Sequence, residues 1–363
     1  MKPILYKLFL LALFFPAVSF ANHDYKEKHT KEKKVSKEFS VSQKGTLKID
    51  NSYGNIDIST WDQDRIIINV FIKTNGNNAE EVQKKLDHIN VVFNQKGNEV
   101  SAVTHFENEN KSWWSGIFGN SNNVNMEINY VIKAPAQHNI DIDNDYGAIY
   151  MDKLLGNTNI SCDYGKIDIG ELRGESNTLK FDYTRNSHFG YITNATIQAD
   201  YSGFTIEEAQ NINLRADYSD SNISKVENLQ FNCDYGSISV EKARNIEARG
   251  DYLSTKIGRV FSSLDLKQAY GSVRIDKLMK GIKNVEIKTD YSGIKLGFDA
   301  EMDFQFNVDS SYGGISGTSD LEILKSYEES FSKKITGYYR NQNSNTQLHI
   351  SNSYANINFK KVP

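Results

Sequence analysis

The sequence predicts an all-β fold: a single-stranded parallel β-helix, or solenoid, with coils of about 17–21 residues and an N-terminal α+β insertion or cap. The first observation is a repeat. Tyr146, Tyr164, Tyr183, Tyr201, Tyr218, Tyr235, Tyr252, Tyr270, Tyr291 and Tyr312 are spaced 18, 19, 18, 17, 17, 17, 18, 21 and 21 residues apart, and Tyr354 follows two further steps of 21. Self-similarity at such a period marks a stacked repeat architecture. The second is a shared context: apolar at −4, small or polar at −2, Gly or Ser at +1, apolar at +3 and +5, as in Phe231, Cys233, Tyr235, Gly236, Ile238 and Val240. The third is composition. Tyr (20), Phe (19) and Gly (24) are abundant and Pro is scarce (4), which favours strands and turns over helices.

The chain divides in order. Residues 1–21 carry Lys2 and Lys7, an apolar run from Leu8 to Phe15, and Ser19-Phe20-Ala21, the pattern of a signal peptide cleaved after Ala21. No Cys stands at that point, so a lipoprotein anchor is not expected, and no later apolar run is long enough to span a bilayer. The protein is therefore expected to be exported to the periplasm, cell surface or medium. Residues 22–40 are rich in Lys, Glu and His and read as a flexible charged leader. Residues 41–60 hold a first coil around Tyr53. Residues 61–139 form an insertion or cap with a strand at Ile66–Ile72, a helix from Ala79 to about His88, and strands near Val91–Phe93, Glu99–Phe106 and Val124–Ile132, closed by Pro135. Residues 140–363 form the solenoid, ending in a hairpin and a last coil between Lys333 and Lys360.

Within a coil, positions −4, −2 and 0 share one parity and should face one side, which places the Tyr column inward and the bend at the following Gly or Ser. The return side carries apolar residues every third position, as in Ile206, Ala209, Ile212 and Ile223, Val226, Leu229. Asn211, Asn228 and Asn245 recur there at intervals of 17 and can stack their amides as a ladder. Coils stacked at about 4.8 Å give a rod of roughly 50 Å. Cys162 and Cys233 share one coil position four steps apart, roughly 19 Å, too far for a disulfide.

The opening Asn51-Ser52-Tyr53-Gly54-Asn55-Ile56-Asp57-Ile58 with Trp61-Asp62, the helix-containing insert, the Pro135 junction and the reiterated Asp-Tyr-Gly-x-Ile coils resemble the family of secreted bacterial β-solenoids named putative adhesins. The resemblance covers nearly all of the mature chain. It implies the fold and, by fold-level analogy, an adhesin role.

Three features qualify as candidate sites. Asp145, Asp163, Asp182, Asp200, Asp217, Asp234 and Asp251 precede the tyrosines in consecutive coils. Facing outward about 4.8 Å apart in water, they repel by roughly 0.9 kcal/mol per pair. Each is expected to accept the N–H two residues on in an Asx turn; the alternative is a stripe that collects Ca²⁺, the one cofactor the sequence raises. Trp113, Trp114, Ile117 and Phe118 form either a hydrophobic plug on the rod end or an exposed binding loop. His188 interrupts an irregular coil, 185–191, and the remaining histidines, at 23, 29, 88, 105, 138 and 349, show no metal-ligand spacing.

No catalytic constellation or phosphate-binding Gly loop is present in the sequence. With 42 basic and 46 acidic residues there is no field to draw the chain onto nucleic acid. The expected function is a non-enzymatic scaffold or adhesin-like protein of the envelope, its repetitive polar face meeting a cell-surface glycan or envelope protein. A carbohydrate-active enzyme on the same solenoid would need a non-repeating cluster of acid, base and Arg or Lys. A periplasmic partner of an envelope-stress signalling system is the third class.

Overall fold

The computed structural model describes residues 28–107 and 124–363. The expected signal peptide, residues 22–27 of the leader, and Trp113, Trp114, Ile117 and Phe118 lie outside the described residues. The described chain is all-β with one helix, Ala79–Asp87, and its strands join in one continuous sheet.

Successive repeats pair in parallel, residue on equivalent residue. Thr158–Asp163 lies between Asn139–Asp145 and Asn177–Asp182, and Lys166–Leu172 lies between Ala148–Leu154 and Ser187–Asp200. The longer strands Gly203–Asp217, Asp220–Asn232 and Gly236–Asp251 continue the same register, with Ile206 opposite Ile223 and Ile223 opposite Val240. The every-third apolar residues also line up, Ala209 with Val226 and Ile212 with Leu229, and all are buried. Because each repeat carries the same alternation, parallel pairing stacks apolar residue on apolar residue, and one core extends from Val41 to Phe359.

The tyrosines do not face that core. In the repeat around Tyr235, Phe231 and Cys233 are buried while Tyr235 is exposed, and burial resumes at Ile238 and Val240. The period-two alternation breaks at the tyrosine itself, because every repeat tyrosine adopts a left-handed backbone, with φ from 48° at Tyr291 to 63° at Tyr53. A left-handed residue turns the chain instead of extending it, so its side chain leaves the inward row. The Gly at +1 plays a different part from the one expected. A Cβ on Gly147 would stand 1.8 Å from the Gly54 carbonyl oxygen, so this glycine permits close stacking of backbones.

Both ends of the stack depart from chain order. His29–Ser40, expected within the flexible leader, is a strand paired antiparallel with Arg65–Gly76. Its ladder needs only backbone groups, its Lys-rich side chains suit a sheet edge, and Phe39 packs on Phe93 with centroids 6.2 Å apart. Glu99–Phe106 and Asn125–Pro135 run parallel to Thr46–Ser52 and Ile56–Trp61, adding one position to each stack. The helix starts at Asn78, whose side chain accepts from the amides of Glu80 and Glu81, and buries Val82 and Leu86.

At the other end, the last repeat does not follow Tyr312. Gln347–Ser353 inserts between Asn284–Asp299 and Phe304–Ser311, parallel to both. The hairpin of Glu322–Glu329 and Ser332–Tyr339 then closes that side in antiparallel pairing, starting earlier in the chain than the sequence pattern indicated. The spatial order is thus Tyr291, Tyr354, Tyr312.

Cys162 and Cys233 are free and buried, and burial pushes both thiols up to about 12. Thiolate chemistry at neutral pH is suppressed at both sites.

Candidate functional site

Two periodic surfaces stand out. The first is the tyrosine column. Tyr53, Tyr146, Tyr164, Tyr183, Tyr201, Tyr218, Tyr235, Tyr252, Tyr270, Tyr291, Tyr354 and Tyr312 stack face to face, with centroids 4.5–5.2 Å apart and ring planes within 8° of parallel. Eleven steps at the interstrand spacing make a ribbon roughly 53 Å long. From Tyr146 onward each ring is 45–56% exposed. Phe106 meets the outer side of Tyr53 edge-on at 6.3 Å, and Phe331 stacks on Tyr312 at 5.1 Å. Neighbouring rings therefore cover each other's faces, and the ribbon shows solvent only ring edges and phenol hydroxyls. A sugar ring cannot lie flat on such a column.

The backbone explains how a costly conformation is repeated. A left-handed L-residue is unfavourable by roughly 1–2 kcal/mol, and Gly or Asn is its usual occupant. Here the tyrosine N–H still joins the inter-repeat ladder, as in Tyr218 N–H to the Asp234 carbonyl at 2.9 Å. Stacking adds about 0.5–1.5 kcal/mol per ring pair.

The Asp column flanks this ribbon and is half-buried over most of its length. The expected local turn is replaced by bonds between repeats. The Oδ1 atoms of Asp182, Asp200, Asp217 and Asp234 accept the backbone N–H of Asp200, Asp217, Asp234 and Asp251 at 3.2, 3.2, 3.1 and 2.7 Å, and Asp251 does the same for Ala269. With the tyrosine turning the chain, the amide nearest each carboxylate is the one a repeat ahead. Mutual repulsion is still felt: burial first, then the charges of Asp143, Asp163 and Asp50, hold the Asp145 carboxyl above its usual range. Among the described residues no three His, Cys, Asp or Glu side chains gather as a metal site.

The second surface is an amide groove of about 620 Å³ on the return side. Its floor is the Asn ladder foreseen in the sequence, extended at both ends. Asn194 donates to the Glu175 carbonyl at 3.1 Å, and Asn211, Asn228 and Asn245 each donate to the preceding Asn Oδ1 at 2.7–2.8 Å. Ser263 Oγ donates to Asn245 Oδ1 at 2.8 Å. Each ladder amide uses one donor and one lone pair along the chain of bonds, leaving a second of each. Asn177, 2% exposed, lines one end of the groove; its Nδ2 donates to the carbonyls of Gly174 and Asn194, and its Oδ1 has no hydrogen-bond partner. Sequence patterns reveal the Asn column but not the concavity, which arises where the every-third rows turn the chain.

His188 reaches Asp168 through Nδ1 at 3.4 Å and Glu207 through Nε2 at 3.1 Å, a surface bridge across repeats.

No protein-family model and no curated protein matches this sequence. Solved structures do resemble it. A putative cell adhesion protein from Clostridium sporogenes is 12% identical, covering 92% of this chain and 100% of its own, with a TM-score of 0.19. A putative adhesin from Parabacteroides distasonis is 10% identical over 90% of this chain and 97% of its own, with a TM-score of 0.30. A putative adhesin from Bacteroides fragilis is 8% identical over 90% of this chain and 97% of its own, with a TM-score of 0.25. A further neighbour, named a putative lipid binding protein and also from P. distasonis, is 10% identical, covering 91% of this chain and 97% of its own, with a TM-score of 0.26.

Two expected results follow from the Asp and Tyr columns. Asp217→Ala removes the carboxylate acceptor from the Asp234 amide and should cost about 2 kcal/mol, whereas Asp217→Asn keeps an acceptor, lowers the repulsion and should cost under about 1 kcal/mol. Urea denaturation of both variants checks this; equal losses would mean the inter-repeat bond is not what the carboxylate supplies. The second concerns pH. Desolvation, followed by neighbouring Tyr and Asp groups, raises the phenols of Tyr53, Tyr183, Tyr235 and Tyr291. A folded pKa above the unfolded value gives stability that is complete below about pH 10 and lost as pH climbs through the raised values. Melting temperature should therefore hold through neutral pH and fall beyond about pH 10, with phenolate absorbance rising in step. A melting temperature unchanged between about pH 9 and about pH 11 would contradict it.

Proposed function

We propose that this chain is an exported, non-enzymatic, adhesin-like protein of the bacterial envelope, wound as a single-stranded parallel β-solenoid, that holds an extended polar ligand along its amide groove. The observation that carries this reading is the groove itself. Its size falls in the range of ligand sites, and it crosses successive repeats with spare amide donors and acceptors at each step. A polymer with hydroxyls along its length, such as a cell-surface glycan, matches that chemistry.

The enzyme alternative looks to Glu247 and Asp265, which line the same groove in adjacent repeats. Both carboxylates are tied to one guanidinium, Arg249, at 3.4 and 3.2 Å. A glycosidase needs two carboxyl groups free to face the scissile bond, and both of these are engaged by one guanidinium instead. The binding reading is therefore preferred to the catalytic one.

A glycan-array screen of the mature protein, with Asn211→Ala/Asn228→Ala as the paired variant, tests the proposal together with surface-protease accessibility on whole cells. Expected is binding to one class of neutral or hydroxyl-rich glycan that the variant loses while remaining folded. Binding that survives in the variant would move the ligand off the groove, and cleavage of a glycan during the assay would restore the enzyme reading. Among the described residues no helix is long and apolar enough to cross a membrane.

A further inference from the structure

The tyrosine ribbon calls for an explanation that the groove does not provide. Each phenol side chain offers about 200 Å² and is roughly half exposed, so the ribbon presents on the order of 1,200 Å² of contiguous tyrosine surface. The largest apolar patch on an ordinary monomer is about 300–600 Å², and a standard protein interface buries about 800 Å² per partner. Stacking accounts for the covered ring faces, but about half of each tyrosine from Tyr146 onward is left uncovered.

The form of the ribbon narrows the occupant. Ring faces are covered by neighbouring rings, and Phe106 and Phe331 stand at the two ends, so a flat ligand has nowhere to stack. What remains is a comb of ring edges and hydroxyls with a step of 4.5–5.2 Å. A rigid partner of another period would drift out of register within a few steps. A second copy has the same period by construction and the same mixture of apolar edge and hydroxyl, as in the dry interface of paired β-stacks.

We infer that two copies of this chain associate side by side through their tyrosine ribbons, as a two-fold symmetric dimer with both rods running in the same direction. The direction follows from charge. Acidic residues of the Asp column lie on one flank of the ribbon, while the other flank, two residues after the tyrosines, carries Lys166, Arg185 and Asp220 among uncharged residues such as Ala148, Gly203, Ser237 and Ser254. A two-fold axis along the rod sets the acidic flank of each copy against the near-neutral, small-residue flank of the other. An axis across the rod sets acidic flank against acidic flank, bringing like charges together over much of the length.

Sedimentation velocity of the mature chain over a wide concentration range tests the association. Expected is a monomer–dimer equilibrium with a dissociation constant of about 1 μM or tighter. In the triple variant Tyr201→Asn/Tyr218→Asn/Tyr235→Asn, chosen because Asn accepts the left-handed backbone, association should weaken at least about a hundredfold. Circular dichroism establishes that the variant is folded. A wild-type chain that stays monomeric, or a folded variant that still dimerises fully, overturns the proposal. Should the variant misfold, the wild-type ribbon remains testable by a spin label on Ala148→Cys, the native thiols being buried. Same-direction pairing predicts label separations of roughly 20–30 Å, and opposite pairing or a contact elsewhere predicts beyond about 40 Å; the longer distance overturns the arrangement.

Discussion

Phe181→Ala is expected to lower folding stability by about 4 kcal/mol, the upper part of the range for a buried aromatic. Phe181 is fully buried, with Phe189 and Phe204 at 6.1 and 5.5 Å between centroids. Its partners in the parallel ladder are Cys162 on one side and Ala199 on the other. The ring thus fills space that two small neighbours leave open, and alanine would place three small residues in succession. The surrounding strands are fixed by their hydrogen bonds at the interstrand spacing, so the wall cannot collapse into the gap and most of the cavity cost remains. Guanidinium unfolding checks this, with Leu155→Ala, whose side chain is exposed, as a control expected within about 0.5 kcal/mol of wild type. Equal midpoints for the two variants would show that the Phe181 ring is not enclosed.

The parallel register that makes this prediction possible was legible in the sequence. Spacing of tyrosines, alternation at +3 and +5, and the every-third apolar rows each report a backbone period, and backbone period is what local sequence encodes best. Ile206, Ile223 and Val240 line up in the structure as their spacing required. Chain reversal was not legible. Tyr354 inserts between Tyr291 and Tyr312 because Gln347–Ser353 finds two parallel partners there instead of one at an open end, a gain that comes from tertiary pairing and leaves no mark on spacing. The strand His29–Ser40 was hidden for a related reason. An edge strand held by its backbone needs little apolar content, so a composition rich in Lys and Glu looks like a leader until its partner Arg65–Gly76 is in place.

The candidate surfaces were legible in part. Asn211, Asn228 and Asn245 were readable as a ladder because one residue type recurred at one period. The outward tyrosines were misplaced by a parity argument that assumes extended backbone through position 0. Nothing in the propensity of tyrosine signals a positive φ; the conformation is imposed by the inter-repeat bond from its N–H and by the rings above and below. The Asp column was misread by the same step, since an extended Asp-Tyr-Gly would have formed its bond locally.

That dependence gives the second large effect. Tyr218→Val is expected to cost about 3 kcal/mol, and Tyr218→Asn about 1–2 kcal/mol. Both lose the stacks with Tyr201 and Tyr235, at 4.9 and 4.8 Å, worth about 0.5–1.5 kcal/mol each. They differ in backbone. At φ 54° a β-branched residue is forced into a region it rarely enters, whereas asparagine enters it readily. If the column is held chiefly by ring contact, the two variants will melt together. If the left-handed turn at position 218 is what steers the chain from one strand stack to the next, valine will be worse by about 1–2 kcal/mol, and Tyr218→Phe, which keeps ring and backbone alike, will remain within about 0.5 kcal/mol of wild type. Thermal denaturation of the three single variants separates these outcomes. The second outcome is expected because every repeat tyrosine shares this φ, including Tyr270, Tyr312 and Tyr354, which follow Ala269, Ser311 and Ser353 instead of Asp.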